Sequence, residues 1–205
     1  MEGESIARFA REFFARDTLA VARDLLGARL VRLLDGQRLG GIVVECEAYI
    51  GQDDTACHAS RGRTRRNEVM FGPPGHAYIY FTYGIHWMLN VVTEAEGFPA
   101  AVLLRAIQPV EGVETMRVLR KAQVDSRAER GLTGGPARLT QALAIDKTLN
   151  GADLVDGERL WLERDAWAPD GSVERGPRIG VQYAAEKDRL APWRFWVRDN
   201  PYVSR

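Results

Sequence analysis

The chain has 205 residues, 45% of them hydrophobic, and its 28 basic and 28 acidic side chains leave a formal net charge of zero. That length supports one substantial core, and without a linker the reading is a single domain over 1–205, its neutrality, taken whole, arguing against a polyanion partner. No apolar run reaches the length of a membrane span and the opening M-E-G-E-S-I-A-R lacks the basic-then-apolar order of a secretion signal, so an intracellular protein without a membrane partner is expected.

Residues 5–15 read as a helix, with 1–16 as a peripheral N-terminal element. Asp17 or Thr18 caps a second helix that runs through L-A-V-A-R-D-L-L to Gly27. Residues 28–34 form a strand, Asp35-Gly36 is a two-residue turn, and 38–50 returns as a second strand. Period-two alternation puts Ile42, Val44, Cys46, Ala48 and Ile50 on a core face, and Val43, Glu45, Glu47 and Tyr49 on the other. Glu45 and Glu47 then stand about 6.5–7 Å apart along the strand. They are either a solvated edge or a site, and the apolar strand around them favours a buried setting, where a carboxylate requires partners or a task. Gly51 breaks the strand, and the polar loop beyond it supplies His58. An acid, a tyrosine and a histidine so gathered suit activation of water or the holding of a flat ligand.

Cys46 and Cys57 make no disulfide framework and are expected as thiols. With His58 and His76 they match no zinc-ligand spacing, so neither metal nor cofactor is expected. Residues 58–141 carry 11 basic and 7 acidic groups. Arg61, Arg63, Arg65 and Arg66 crowd into one loop just after His58. A charge run is often only a solvated face, but one attached to a candidate site reads as an anion contact.

M-F-G-P-P-G-H breaks regular structure and leads into A-Y-I-Y-F-T-Y-G-I-H-W-M-L-N-V-V-T, two strands joined at Tyr83-Gly84. Tyr78 and Tyr80 share one face of the first, and Trp87, Leu89 and Val91 share one face of the second. Tyr83 sits on the turn, where a large ring either folds back on its hairpin or binds something. Asn90 is a buried amide that needs partners. In A-A-V-L-L-R-A-I, Arg105 lies within an apolar strand and calls for a carboxylate. A helix over 113–122 follows. G-L-T-G-G-P-A-R-L-T-Q-A-L then opens another helix at Pro136, whose start is either a plain helix start or, with Gly135 and Arg138, a phosphate seat. From Leu160 onward W-L-E-R, R-I-G-V and R-F-W-V read as short strands between loops that show no chemistry.

Taken together, V-E-C-E-A-Y-I-G, D-D-T-A-C-H, R-N-E-V-M-F, Y-I-Y-F-T-Y-G-I-H-W-M-L-N-V, V-L-L-R-A, G-G-P-A-R-L-T-Q-A-L and R-I-G-V resemble the alkyladenine, or 3-methyladenine, DNA glycosylase family, in order from about Asp17 onward. The resemblance implies a mixed α/β (α+β) single domain, a curved antiparallel β-sheet with surrounding helices, and no metal. It implies that Glu47 activates the attacking water and that Arg105 holds it, with Tyr49, His58 and Tyr80 enclosing the extruded base. Asn90 would help reject normal purines and Tyr83 would fill the gap left in the duplex. The partner it implies is double-stranded DNA containing damaged purines, to be met by a monomer in the cytoplasm at the nucleoid, or in the nucleus of a eukaryote. The three lysines, Lys121, Lys147 and Lys187, lie far from these residues in sequence, so a Schiff-base lyase step is not expected. Two rivals stand beside this reading. One is a carbohydrate glycosidase using Glu45 and Glu47 as an inverting pair; the other is a non-catalytic reader of damaged DNA.

Overall fold

The computed structural model describes residues 7–121, 131–165 and 173–204. Within them a mixed α/β fold is built on one open antiparallel sheet of eight strands. They are β1 (Arg29–Leu34), β2 (Gln37–Ile50), β3 (Ala77–Thr82), β4 (His86–Val92), β5 (Ala100–Glu111), β6 (Leu160–Glu163), β7 (Val173–Gly176) and β8 (Arg194–Val197). Short helices accompany it: α1 (Arg11–Phe14), α2 (Thr18–Asp24), α3 (Val113–Arg120), α4 (Pro136–Ala142) and α5 (Glu186–Arg189). The strand order is β3-β4-β5-β2-β1-β6, and β8 pairs with β2 and with β7. The sheet is organised around β2, whose 14 residues pair with β5 on one edge and with β1 and then β8 on the other. Among the described residues no helix is long and apolar enough to cross a membrane.

Local chemistry explains most boundaries. The Asp17 carboxylate accepts from the Ala20 amide at 2.9 Å and caps α2, and Gly27, at φ 93°, turns the chain into β1. Asp35 and Gly36 both take positive φ between the paired Leu34 and Gln37, as a tight hairpin requires. The N-terminal expectation needs correction. Among residues 7–16 only Arg11–Phe14 is helical, residues 1–6 lie outside the described residues, and Phe9 and Phe14 are buried in the main core. Phe13 packs between them, with ring centroids 4.2 and 5.0 Å away, so three rings gather into the core through one compact turn. α3 ends at Arg120; residue 122, the expected end, lies outside the described residues.

The regular alternation expected along β2 is also corrected. Val43 pairs with Ile107 and Cys46 with Leu104, but between them Val44 is an extra residue on β2 and Arg105 an extra residue on β5. These two bulges cancel in register yet reverse the faces. Leu39 and Val43 point into the main core before them, and Val44, Cys46 and Ala48 do so after them, while Ile42 lies outside that cluster. Bulges re-aim side chains in this way. Had the strand stayed regular, Glu45 and Glu47 would have shared the core face of Val43.

Candidate active site

Glu45 and Glu47 are both fully buried on the face turned away from the core, and Arg105, delivered by the β5 bulge, bridges them. Its Nε donates to Glu45 Oε1 at 2.9 Å and its NH1 stands 3.2 Å from Glu47 Oε2. The carboxylate partner expected for Arg105 is therefore a pair. Burial works against the guanidinium charge, but Glu47 and then Glu45 outweigh it and the net shift is upward.

The two acids are held differently. Glu45 also accepts from the Ser204 amide (2.7 Å), the Ser204 hydroxyl (2.8 Å) and Arg194 NH1 (3.1 Å). Glu47 accepts from the Tyr49 hydroxyl at 2.9 Å on Oε2 and from the Ile179 amide at 2.7 Å on Oε1. Burial and the adjacent Glu47 charge push the Tyr49 phenol well up, so it stays a donor.

Aromatic rings form the neighbouring wall. Tyr78 and Tyr80 share a face of β3 as expected, with ring centroids 5.4 Å apart. His58 begins a single 3-10 turn, His58–Arg61, and its edge meets Tyr80 at a centroid distance of 4.4 Å. His58 Nδ1 and the Tyr78 hydroxyl are hydrogen-bonded at 2.8 Å. Burial, aided by the Arg66 charge, pulls the imidazole down to about 4, so it is neutral near pH 7. Asn67, from R-N-E-V-M-F, ties this loop: its amide donates to the carbonyls of His58 and Gly62 at 3.0 and 2.9 Å. Asn90 pairs with Tyr78 across the β3–β4 ladder, is buried, and donates to the Tyr78 carbonyl at 3.0 Å. The four possible metal-ligating side chains are dispersed. Cys46 lies in the main core, Cys57 in the cluster with Tyr78, His58 on its hydroxyl, and His76 beside Arg11 and Asp153.

The stretch after Leu160 holds the residues that sequence reasoning missed. R-I-G-V is a bend, not a strand; β7 ends at Gly176 before it, and Gly180 takes φ 81°. The bend brings the Ile179 amide to Glu47 and buries Arg178 against Asp54. Tyr183 follows, 70% exposed, donating to the Ala56 carbonyl at 2.9 Å, and its nearness adds to the burial that pushes the Tyr80 phenol up. The available signals were Gly180 and the R-I-G-V block itself; nothing local marks Arg194 or Ser204 as partners of Glu45.

At the outer rim, Tyr83 occupies the β3–β4 turn at φ 52°, followed by Gly84 at 70°, and is 83% exposed. It does not fold back into the hairpin. Arg61, Arg63, Arg65 and Arg66 are all exposed. Arg63 pairs with Glu68, and Arg66 lies 5.3 Å from the Tyr80 ring centroid with NH2 donating to the Phe81 carbonyl at 3.3 Å. Pro136 starts α4 as expected, after Gly135 at φ 128°, and Arg138 donates to the Gly134 carbonyl at 3.2 Å. An open cavity of about 630 Å³ is lined by Arg105, Gly134, Gly135, Arg138, Pro201 and Ser204.

A buried, donor-held carboxylate thus lies beside a wall of tyrosines, on a sheet rimmed with exposed arginines. Residues 12–201 match the family model described as methylpurine-DNA glycosylase, and the chain belongs to that family. It is 51% identical to a protein of Carboxydothermus hydrogenoformans, over 95% of this chain and 97% of that one. It is 49% identical to a protein of Methanocella arvoryzae, over 95% and 94% of the two chains. A third relative, from Alkaliphilus oremlandii, is 43% identical over 97% and 99%. All three carry the designation 3-methyladenine DNA glycosylase, itself assigned by inference. The family expected from the sequence blocks is thus the family found.

Proposed function

We propose that the chain is a monofunctional DNA glycosylase, a monomer working on double-stranded DNA in the cytoplasm. It turns an alkylated or deaminated purine of the 3-methyladenine, 7-methylguanine or hypoxanthine type out of the duplex, hydrolyses its N-glycosidic bond and leaves an abasic site. The observation that carries this is the setting of Glu47, fully buried, held on both oxygens, and beside the Tyr49–Tyr80–His58 wall. As the base departs, the sugar becomes oxocarbenium-like; a fixed carboxylate stabilises that charge and takes a proton from the attacking water. Arg105 orients both. Neutral His58, with Tyr49 and Tyr80, encloses the extruded base, and Asn90 on the same face helps reject normal purines. Tyr83 occupies the gap in the stack, while Arg61, Arg63, Arg65, Arg66 and Arg138, with the backbone at Gly135, meet phosphates.

The carbohydrate alternative asks Glu45 to serve as a general acid. Glu45 instead accepts from Arg105, Arg194 and both donors of Ser204, which tie it to three other segments of the chain, whereas it is Glu47 that meets the Tyr49 hydroxyl at the aromatic wall. The test uses duplexes bearing one defined lesion and measures released base. The protein should release it, and Glu47→Gln should bind the lesion but release it about a thousandfold more slowly, within the range for loss of a general base. Binding without release by the unmodified protein would select the non-catalytic reader, and an active Glu47→Gln would remove Glu47 from the mechanism.

A further inference from the structure

Arg178 is buried, and its guanidinium holds four acceptors on three segments. NH1 donates to Asp54 Oδ2 at 2.6 Å and to the Ala48 carbonyl at 2.8 Å; NH2 donates to Asp54 Oδ1 at 2.8 Å and to the Asp188 carbonyl at 3.2 Å. Its plane lies 4.7 Å from the Tyr49 ring centroid and 4.9 Å from that of Trp193. Asp54 is itself fixed, accepting from the amides of Ile50 and Ala56 at 3.2 and 3.0 Å. Two dipeptides are thereby clasped. The Arg178 side chain grips the Ala48 carbonyl while the next amide, Ile179, grips the side chain of Glu47, the residue before Ala48.

A buried ion pair is a weak device for stability, since a well-packed apolar replacement is often as good. Its geometry has another use. Apart from Arg105, Glu47 is held by the Tyr49 hydroxyl and the Ile179 amide. Arg178 touches the ring of the first and is bonded in sequence to the second. We propose that Arg178, clamped by Asp54, is a positioning residue for base excision that fixes both of these donors on Glu47. The inference rests on the reading of Glu47 as the base.

Arg178→Lys keeps the charge but replaces a planar fork with a point contact, so it cannot hold Asp54 and Ala48 together. On a duplex with one hypoxanthine, its single-turnover excision should fall about tenfold to a hundredfold, as for small misplacements of a catalytic group, with duplex affinity unchanged. In a Tyr49→Phe background, where one arm is already cut, the same substitution should cost less; simply multiplying losses would mean that the residues act separately and would overturn the proposal. Glu47→Gln runs alongside. If it is inactive while Arg178→Lys excises normally, the clamp is wrong and the reading of Glu47 stands; if Glu47→Gln excises normally, both fall. Should Arg178→Lys not fold, Asp54→Asn, nearly isosteric, decides: a slowed chemical step with normal affinity supports the proposal. Parallel loss of melting temperature, affinity and rate, or failure of both variants to fold, makes the pair a stability element only.

Discussion

Glu45 and Glu47 stand two residues apart on one strand face, equally buried and sharing Arg105, yet they belong to different kinds of surroundings. Around Glu45 is a knot: Arg105, Arg194 and Ser204 converge on it from β5, β8 and the segment after β8, so that the carboxylate joins three parts of the chain. Around Glu47 are one hydroxyl and one amide, with the Tyr49 ring beside it. Identical residues with identical burial thus have different surroundings, and on the function proposed above Glu45 serves cohesion and Glu47 chemistry.

The amide substitutions test that division most severely. Glu47→Gln should leave the fold intact and nearly abolish base release, because Arg105 retains Glu45. Glu45→Gln should do the reverse, lowering stability by about 3 kcal/mol through two cations left short of their buried partner, while excision persists below the melting transition. Chemical denaturation and single-turnover assays on both variants check this; an inactive, stable Glu45→Gln would erase the contrast.

Smaller effects sharpen the Glu47 side. Tyr83→Ala should slow excision from a fully paired duplex about tenfold, the worth of one lost stacking contact, with little change when the lesion faces a gap and none in melting temperature. Equal losses on both substrates would place Tyr83 in the pocket. Replacing Arg61 and Arg65 by Ala should lower the salt dependence of duplex binding by about one unit of slope per phosphate contact. An unchanged slope would take that loop out of the interface. The smallest effect concerns a proton. The folded-state value of His58, about 4, lies below its ordinary 6.5, so the unfolded chain binds the proton first as pH falls. His58 therefore favours the fold fully above pH 6.5 and loses that contribution between 6.5 and about 4. Over that window the unmodified protein should lose more melting temperature than His58→Gln.

Much of this arrangement was legible in the sequence. Turn chemistry at Asp35-Gly36 and Tyr83-Gly84 located both hairpins, and an arginine inside an apolar strand announced its carboxylate partners. Two kinds of information were not. Alternation is a local rule and cannot register an extra residue on each of two paired strands, so Ile42 and Val43 were assigned to the wrong faces. Closure over long separations has no local signature either. The Ile179 amide comes 132 positions after Glu47, and Ser204 comes 159 after Glu45. R-I-G-V, read as a strand, is a bend that turns the Ile179 amide toward Glu47.

The paired bulges also bear on how such a site is inherited. Val44 and Arg105 are each one residue too many for a regular ladder, and each corrects the register that the other disturbs. Removing Val44 alone would shift one half of β2 against β5; removing both would restore the pairing at this point and leave Glu45 and Glu47, still alternating with Val43 and Cys46, on the outer face, but without the arginine that joins them. An ordinary sheet is therefore not one substitution away from this arrangement. The arginine enters as an extra residue on β5, and the register beyond it holds because β2 carries an extra residue of its own, so a change in the length of either strand here disturbs the pairing unless the other changes with it.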